Sequence, residues 1–346
     1  MIELAPQSPS VGHKIASITS KPPAATRAEL TALRRQLTRE VPKKTDDNLL
    51  VATWNIREFG GLTDKWRSTS TDSPKRDLHS LACISEIVSR FDVVAIQEVQ
   101  ADIRALRHML KALGDRYTVV LTDAVVDDKG DNERLAFIFD RERLEVSGLA
   151  CELVVPLNWT TEKKPKTGIP QVALDRQFAR TPYAVAFKSR GATFILITLH
   201  VAWAGTSRAA LAERAEELSA ISTWLQSWAK DVSNWDQNLI CLGDFNIDRK
   251  DGALWQAFTS TGLTVPEQIA SPRRIGGKPL EGFYDQIAWF TEDKAGEHPL
   301  LSLNFTGRAE MFDWSKTVLA DSGLTSNQKS WRISDHYPLW VEFSLP

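Results

Sequence analysis

Cysteine is scarce in this chain: Cys83, Cys151 and Cys241 are the three in 346 residues. An odd, widely spaced set excludes a disulfide framework, and no Cys/His cluster has zinc spacing. Cys83 and Cys241 stand in apolar stretches and read as small buried hydrophobes. Long apolar runs are also missing, so nothing is expected to span a bilayer, and Met1 to Ala25 lacks the apolar core of a cleaved signal. The expectation is a soluble cytoplasmic protein with no membrane partner. Net charge is nearly absent: 42 Lys+Arg against 44 Asp+Glu leave −2. A protein that holds duplex by neutralising phosphates is often basic overall, so any grip on nucleic acid would have to be a local patch. No internal repeat of motifs is visible. What remains, 42% hydrophobic and 25% charged residues, is the composition of a globular protein.

Residues 1–46 differ from the rest. Ser8-Pro-Ser and Lys21-Pro-Pro are loop signals. Thr26 to Glu40 then carries a helical pattern, with Thr26 as N-cap and Leu30, Leu33 and Leu37 on one face. That extension reads as a short helix packed on the main domain or a flexible leader; a docking helix for a protein partner is the sharper alternative. Residues 47–346 read as one catalytic domain. Apolar runs at Leu49–Trp54, Val93–Ile96, Thr118–Leu121, Leu135–Phe139, Leu144–Val155, Ala184–Phe187, Phe194–Leu199, Leu239–Leu242, Gln286–Phe290 and Leu339–Phe343 predict strands. Arg76–Arg90, Ala101–Leu113 and Arg208–Lys230 predict helices. So many strands overfill one doubly wound sheet. The expected class is α/β, a four-layered sandwich of two packed mixed sheets flanked by helices. Pro156–Phe178, Ala270–Gly282 and Leu301–Arg332 read as long loops.

Each of several apolar runs ends in polar residues: Asn55 and Arg57, Gln97 and Glu98, Glu133, His200, Asp244 and Asn246, Asp285, and Asp335 with His336. Polar groups delivered by separate strand ends are the layout of an active site. A lone Glu98 is as easily a salt bridge. That reading weakens once Asn55, Asp244, Asn246 and Asp335 occupy other strand ends. Carboxylates and amides suit a hard divalent cation, and Glu98 with Asn55 and Asp335 would provide such a site for Mg²⁺, with Mn²⁺ or Ca²⁺ compatible. Histidines beside acids suit phosphate chemistry. His13, His79, His108 and His298 lack that setting and read as ordinary surface residues; His200 and His336 have Glu133, Asp285 and Asp335 available.

Trp54-Asn55-Ile56-Arg57, Gln97-Glu98, Gly243-Asp244-Phe245-Asn246, Tyr284-Asp285 and Ser334-Asp335-His336-Tyr337-Pro338 resemble the motifs of the endonuclease/exonuclease/phosphatase superfamily, in its order, over about Leu49 to Phe343. Glu133-Arg134 and Phe178-Ala179-Arg180-Thr181-Pro182 add a likeness to the deoxyribonuclease I branch. The resemblance implies a divalent-metal-dependent phosphodiesterase, a DNA endonuclease first, with nucleic acid as its partner. It implies Glu98 as metal ligand with Asn55 and Asp335 close by, Asp244 as the group that orients or deprotonates the attacking water, and Asn246 on the scissile phosphate. It pairs His200 with Glu133 and His336 with Asp285, and sets Arg180 on a phosphate.

There are departures. Where that branch carries a groove-entering arginine this chain has Gln100, and where it carries a sugar-stacking aromatic this chain has Asp131. Substitute grips are Arg57, the loop cations Arg273, Arg274 and Lys278, Lys163, Lys164 and Lys166 at lower odds, and Trp203 for stacking on a base or sugar. A phosphatase or lipid phosphodiesterase on the same scaffold is the alternative. Against it, Gly282-Phe283-Tyr284-Asp285-Gln286 lacks the basic motif usual in inositol phosphatases. An inactive binding scaffold is disfavoured, because every matched catalytic position holds the expected residue type.

Overall fold

The computed structural model describes residues 16–124, 132–154, 178–203, 205–230, 238–269, 282–291 and 300–346. Arg273, Arg274, Lys278, Asp131, His13, His298 and Lys163, Lys164 and Lys166 lie outside these, with most of the 156–178 and 270–282 loops.

The chain builds two sheets. The first contains β1 (Asn48–Phe59), β2 (Val93–Val99), β3 (Tyr117–Leu121), β4 (Arg134–Asp140), β10 (Asn304–Met311) and β11 (Leu339–Ser344), in the order β10-β11-β1-β2-β4-β3. The second contains β5 (Glu145–Glu152), β6 (Tyr183–Ser189), β7 (Ala192–His200), β8 (Leu239–Ile247) and β9 (Phe283–Trp289), in sequence order. Both are mixed: β1–β2 and β7–β8 run parallel, and their other neighbours run antiparallel.

Helices cover the outer faces. On the first sheet lie α1 (Ala24–Glu40), α2 (Leu78–Val88) and α3 (Arg104–Leu113); on the second lie α4 (Arg208–Lys230) and α5 (Ala253–Thr259). A short α6 (Ser326–Ser330) precedes the last motif. The period-2 geometry of a strand explains why the central runs are apolar throughout. In β1, Leu49 and Val51 enter the core between the sheets, whereas Leu50, Ala52 and Trp54 face the helices. In β7, Phe194 and Leu196 face the other sheet, and Ile195 and Ile197 face α4. The result is helix, sheet, sheet, helix: the four-layered sandwich expected from the strand count. No helix of the described residues is long and apolar enough to cross a membrane.

Three expectations change. The first helix starts at Ala24, with Pro23 at its N-cap and no side-chain cap bond; Thr26 is already inside and fully buried. Its leucine face is spent on the body, since Leu33 and Leu37 are buried in the same core as α2 and β1. The Leu301–Arg332 stretch is not one loop: it holds β10, a turn of 3₁₀ helix at Trp314–Lys316, and α6. Glycine, polar residues and an exposed face hid β10, an edge strand with seven of its eight residues at least partly exposed. His79, expected at the surface, is fully buried.

Candidate active site

The two parallel pairs, β1–β2 and β7–β8, put their carboxyl ends at the same place, between the sheets. The register pairs Asn55 with Gln97 in one sheet and His200 with Asp244 in the other, and β9 sets Asp285 opposite Asp244. Three irregularities aim the side chains. The β1–β2 ladder slips between Asn55 and Phe59, the β2–β4 ladder between Ile96 and Val99, and the β8–β9 ladder between Asp244 and Ile247. At the slips Glu58, Glu98 and Asn246 have φ of 42°, 62° and 49°. Left-handed backbone at non-glycine residues costs energy and gathers where a site needs a side chain re-aimed.

Asp244 is the hub. Its Oδ2 accepts a 2.9 Å hydrogen bond from Asn55 Nδ2, and its Oδ1 accepts one of 2.9 Å from the Asn246 backbone N–H. Nε2 of His200 and Nε2 of His336 each lie 3.8 Å from Oδ2. Behind each imidazole stands an acid. His336 Nδ1 is 2.6 Å from Asp285 Oδ2, and His200 Nδ1 is 3.0 Å from Glu133 Oε2. Two acid–histidine pairs therefore converge on one buried carboxylate from opposite sides.

The charges follow from this packing. Burial disfavours the protonated form of His336, but Asp285, Asp244 and Asp335 outweigh it and raise its pKa to about 10. His200 is also raised: burial and the charge of Arg180 oppose it, and the contact with Glu133 together with the charges of Asp244 and Glu133 outweighs them. Burial pushes Asp244 up, and the two histidines, with hydrogen bonds from Asn55 and Asn246, bring it below its ordinary value. At neutral pH the hub is an anion beside the His336 imidazolium, with the His200 pKa shifted in the same direction. Because the folded pKa of His336 lies above its ordinary 6.5, its contribution to stability is whole below about pH 6.5 and fades as pH rises through about 10. Urea midpoints measured from pH 7 to pH 10.5 should fall more steeply for the wild type than for His336→Gln. Parallel curves would refute that linkage.

Glu98 is half-buried beside this hub. Its Oε1 accepts from Asn55 Nδ2 at 2.9 Å, and its Oε2 accepts from the Glu58 N–H at 2.8 Å. Asn55 Oδ1 is buried with no hydrogen-bond partner in the structure. An orphaned amide oxygen next to a carboxylate is a hard oxygen donor set of the kind a divalent cation takes. Ligating atoms of Glu98, Glu133 and His200 also lie within 4.8 Å of one another. Asp335 follows Ser334, which is tied to the end of β1. Ser334 Oγ donates to the Asn55 carbonyl at 2.7 Å and accepts from the N–H of Arg57 and of His336. The residues present fit a cation of the Mg²⁺ type.

The expected substrate contacts are placed less simply. Arg180 lies with Nε 2.7 Å from Glu133 Oε2, so it closes an Arg–Glu–His chain behind the hub. Arg57 donates to Ser330 Oγ and stacks on the ring of Trp331 at 3.6 Å. Asn246 turns one amide N–H to the Val201 carbonyl at 2.6 Å. Trp203 is 46% exposed, with its ring edge-on to Tyr284 and the Arg214 guanidinium 4.3 Å from its centroid.

Sequence reasoning missed the residues that hold these groups. The Arg76 guanidinium is buried and donates to the carbonyls of Arg57, Glu58, Arg332 and Ile333, tying the end of β1 to the loop that carries His336. Trp54 and Trp314 both donate their indole N–H to the His336 carbonyl. Arg214 donates to the carbonyls of Asn246 and Gly205. Nothing local marks Arg76 or Arg214, whose partners are distant backbone. Trp54, next to Asn55 in a motif, carried a signal.

No family model and no curated protein matches the chain. Solved structures do. An endonuclease/exonuclease/phosphatase family protein from Bacteroides thetaiotaomicron is 18% identical, with TM-score 0.53 over 86% of this chain and 98% of that one. The human Nocturnin catalytic domain with bound sulfate anion is 17% identical, with TM-score 0.53 over 88% of this chain and 97% of that one. TDP2 from D. rerio, complexed with single strand DNA product, is 14% identical, with TM-score 0.50 over 86% and 99%. The chain has the fold of the endonuclease/exonuclease/phosphatase proteins, as the motifs led one to expect.

Proposed function

We propose that this chain is a divalent-metal-dependent hydrolase of phosphodiester bonds and that nucleic acid, DNA first, is its substrate. The observation that carries the reading is the convergence of two acid–histidine pairs on Asp244 beside Glu98 and the unpartnered oxygen of Asn55. Of the proteins that share the fold, Nocturnin carries a bound sulfate anion and TDP2 a single strand DNA product, which supports a phosphate-bearing substrate.

Glu98, Asn55 and Asp335 would hold Mg²⁺, with Mn²⁺ or Ca²⁺ able to take the same oxygens. The ion would supply positive charge at a phosphoryl oxygen. The rest falls to the chain. Asp244, held anionic, accepts a hydrogen bond from the attacking water and orients it in line with the scissile bond. Protonated Nε2 of His200 and of His336 point to the same space and donate to the oxygens on which charge develops, where preorganised donors are most effective. Either imidazolium can release its proton to the departing oxygen. Glu133 and Asp285 fix the ring orientations and keep the protons on. Asn246 steadies the phosphate, and Arg180 acts through Glu133. Arg57, Trp203 and the cations Arg273, Arg274 and Lys278 form the outer grip.

The test is cleavage of supercoiled plasmid, single-stranded DNA and RNA with Mg²⁺ or Mn²⁺, repeated with chelator and alongside a generic phosphomonoester. Metal-dependent nicking that vanishes with chelator is expected. Release of phosphate from the monoester, with the plasmid intact, would replace this reading by that of a phosphatase.

A further inference from the structure

A second cluster of ligating side chains lies on the far side of the first sheet, under α1. His79 and Cys83 are one turn apart on α2 and share a face. Glu29 reaches them from α1. His79 Nε2 lies 2.9 Å from Glu29 Oε1 and 3.8 Å from Cys83 Sγ, and the three ligating atoms are all within 4.8 Å of one another. His79 and Cys83 are completely buried. None of the three belongs to the active site.

We propose that Glu29, His79 and Cys83 form a site for a borderline-soft divalent ion, Zn²⁺ in the first instance, that pins the N-terminal helix to the catalytic body. The donor set is sulfur, nitrogen and oxygen, which favours zinc over the hard cation of the active site. With Zn–S about 2.3 Å, Zn–N about 2.0 Å and tetrahedral angles, sulfur and nitrogen sit about 3.5 Å apart. The 3.8 Å separation is close to this without rearrangement. The nitrogen–oxygen gap must widen by a few tenths of an ångström, because a shared proton now holds it at 2.9 Å. Binding expels the thiol proton, and the proton on Nε2 passes to Nδ1, so the imidazole stays neutral while Nε2 becomes free to ligate. It leaves a thiolate, a carboxylate and a neutral imidazole around a dication, so the buried assembly carries no net charge.

Glu29 is the member of the cluster that reaches solvent. Glu29 lines a cavity of about 470 Å³ between α1 and the 317–322 segment, walled also by Arg67, Thr317 and Asp321. Water or a further ligand entering there would complete four-coordination. Glu29 is aligned from outside by the Leu319 N–H, which donates to Oε1 at 3.0 Å. His79 Nδ1 has no hydrogen-bond partner. The imidazole therefore lacks the outer partner that strengthens metal-bound histidines, and the affinity should fall short of a zinc finger's. A search for Cys/His spacing overlooks this site because its acid comes from a helix fifty residues upstream.

Titrating the full chain with Co²⁺, a spectroscopic substitute for Zn²⁺, tests this. A thiolate-to-cobalt charge-transfer band at one equivalent is expected, lost in Cys83→Ser and in His79→Gln. Zn²⁺ should compete it away and raise the unfolding temperature of the wild type by several degrees, but not that of Cys83→Ser. Metal-dependent hydrolysis should be the same in Cys83→Ser and wild type, so the outcome is independent of the active-site reading. No thiolate band, a band that survives Cys83→Ser, or an equal zinc shift in that variant would each overturn the proposal. Circular dichroism of the variants guards against misfolding, and Cys83→Ala offers a second variant without a new polar group.

Discussion

Asp244→Asn should lower metal-dependent phosphodiester hydrolysis by about 10³-fold, the scale seen when a preorganised electrostatic partner of a transition state is lost. The carboxylate is the one group that touches every other part of the hub. It accepts from Asn55 and from the Asn246 N–H and faces both Nε2 atoms at 3.8 Å. An amide of the same size turns one oxygen into a donor that points at donors. It also removes a charge that helps keep His200 and His336 protonated, since Asp244 raises the pKa of each. Two readouts follow. The turnover number for an activated phosphodiester should drop, and the alkaline limb of the pH–rate profile should move to lower pH because the imidazoliums are less stabilised. Asp285→Asn, which works through His336 alone, should cost less, about 10²-fold. A variant Asp244→Asn within tenfold of wild type, folded by circular dichroism, would remove Asp244 from the chemistry.

The residues that gather at the candidate site were legible in the sequence because strand-end chemistry leaves a local mark. An apolar run followed by Gln97-Glu98, or Gly243-Asp244-Phe245-Asn246, is visible without knowing where the strand goes. The sandwich was legible for a related reason: runs apolar on both faces need partners on both faces, and ten such runs need two sheets. What stayed hidden is what distant segments do to each other. Arg76 reads as the start of a helix, yet its guanidinium closes four carbonyls from two separated segments. Arg180 reads as a phosphate contact, yet it stands behind Glu133. Arg57 reads the same way and lies flat on Trp331, whose place three residues before Ser334 carried no meaning until α6 folded. His79 reads as a surface residue because it lies in a helical stretch without an acid motif; Glu29, its partner, is on another helix. In each case the sequence shows the side chain, and only packing shows its partner.

Gly243→Ala should destabilise the protein by more than about 4 kcal/mol, enough to deprive it of soluble expression or to bring its urea midpoint near zero. Gly243 sits in β8 opposite Leu199 of the parallel strand β7, with φ of 144°, a conformation that side chains rarely adopt. A Cβ there would lie 2.1 Å from the Leu199 carbonyl oxygen and 2.9 Å from its nitrogen. Both contacts are backbone, so no rotamer change relieves them. The glycine therefore marks a close approach of two main chains, the usual meaning of glycine inside a strand. That approach also matters for chemistry. The pair next in register is His200 and Asp244, and the Val201 N–H donates to the Asp244 carbonyl at 2.9 Å just beyond. Spreading the strands to admit a methyl group would move the His200 ring away from the hub. Any folded fraction of Gly243→Ala should then hydrolyse phosphodiesters far more slowly than its folded concentration accounts for. Near-native stability in this variant would show that β7 and β8 are not packed this closely, and the placement of His200 against Asp244 would fall with it.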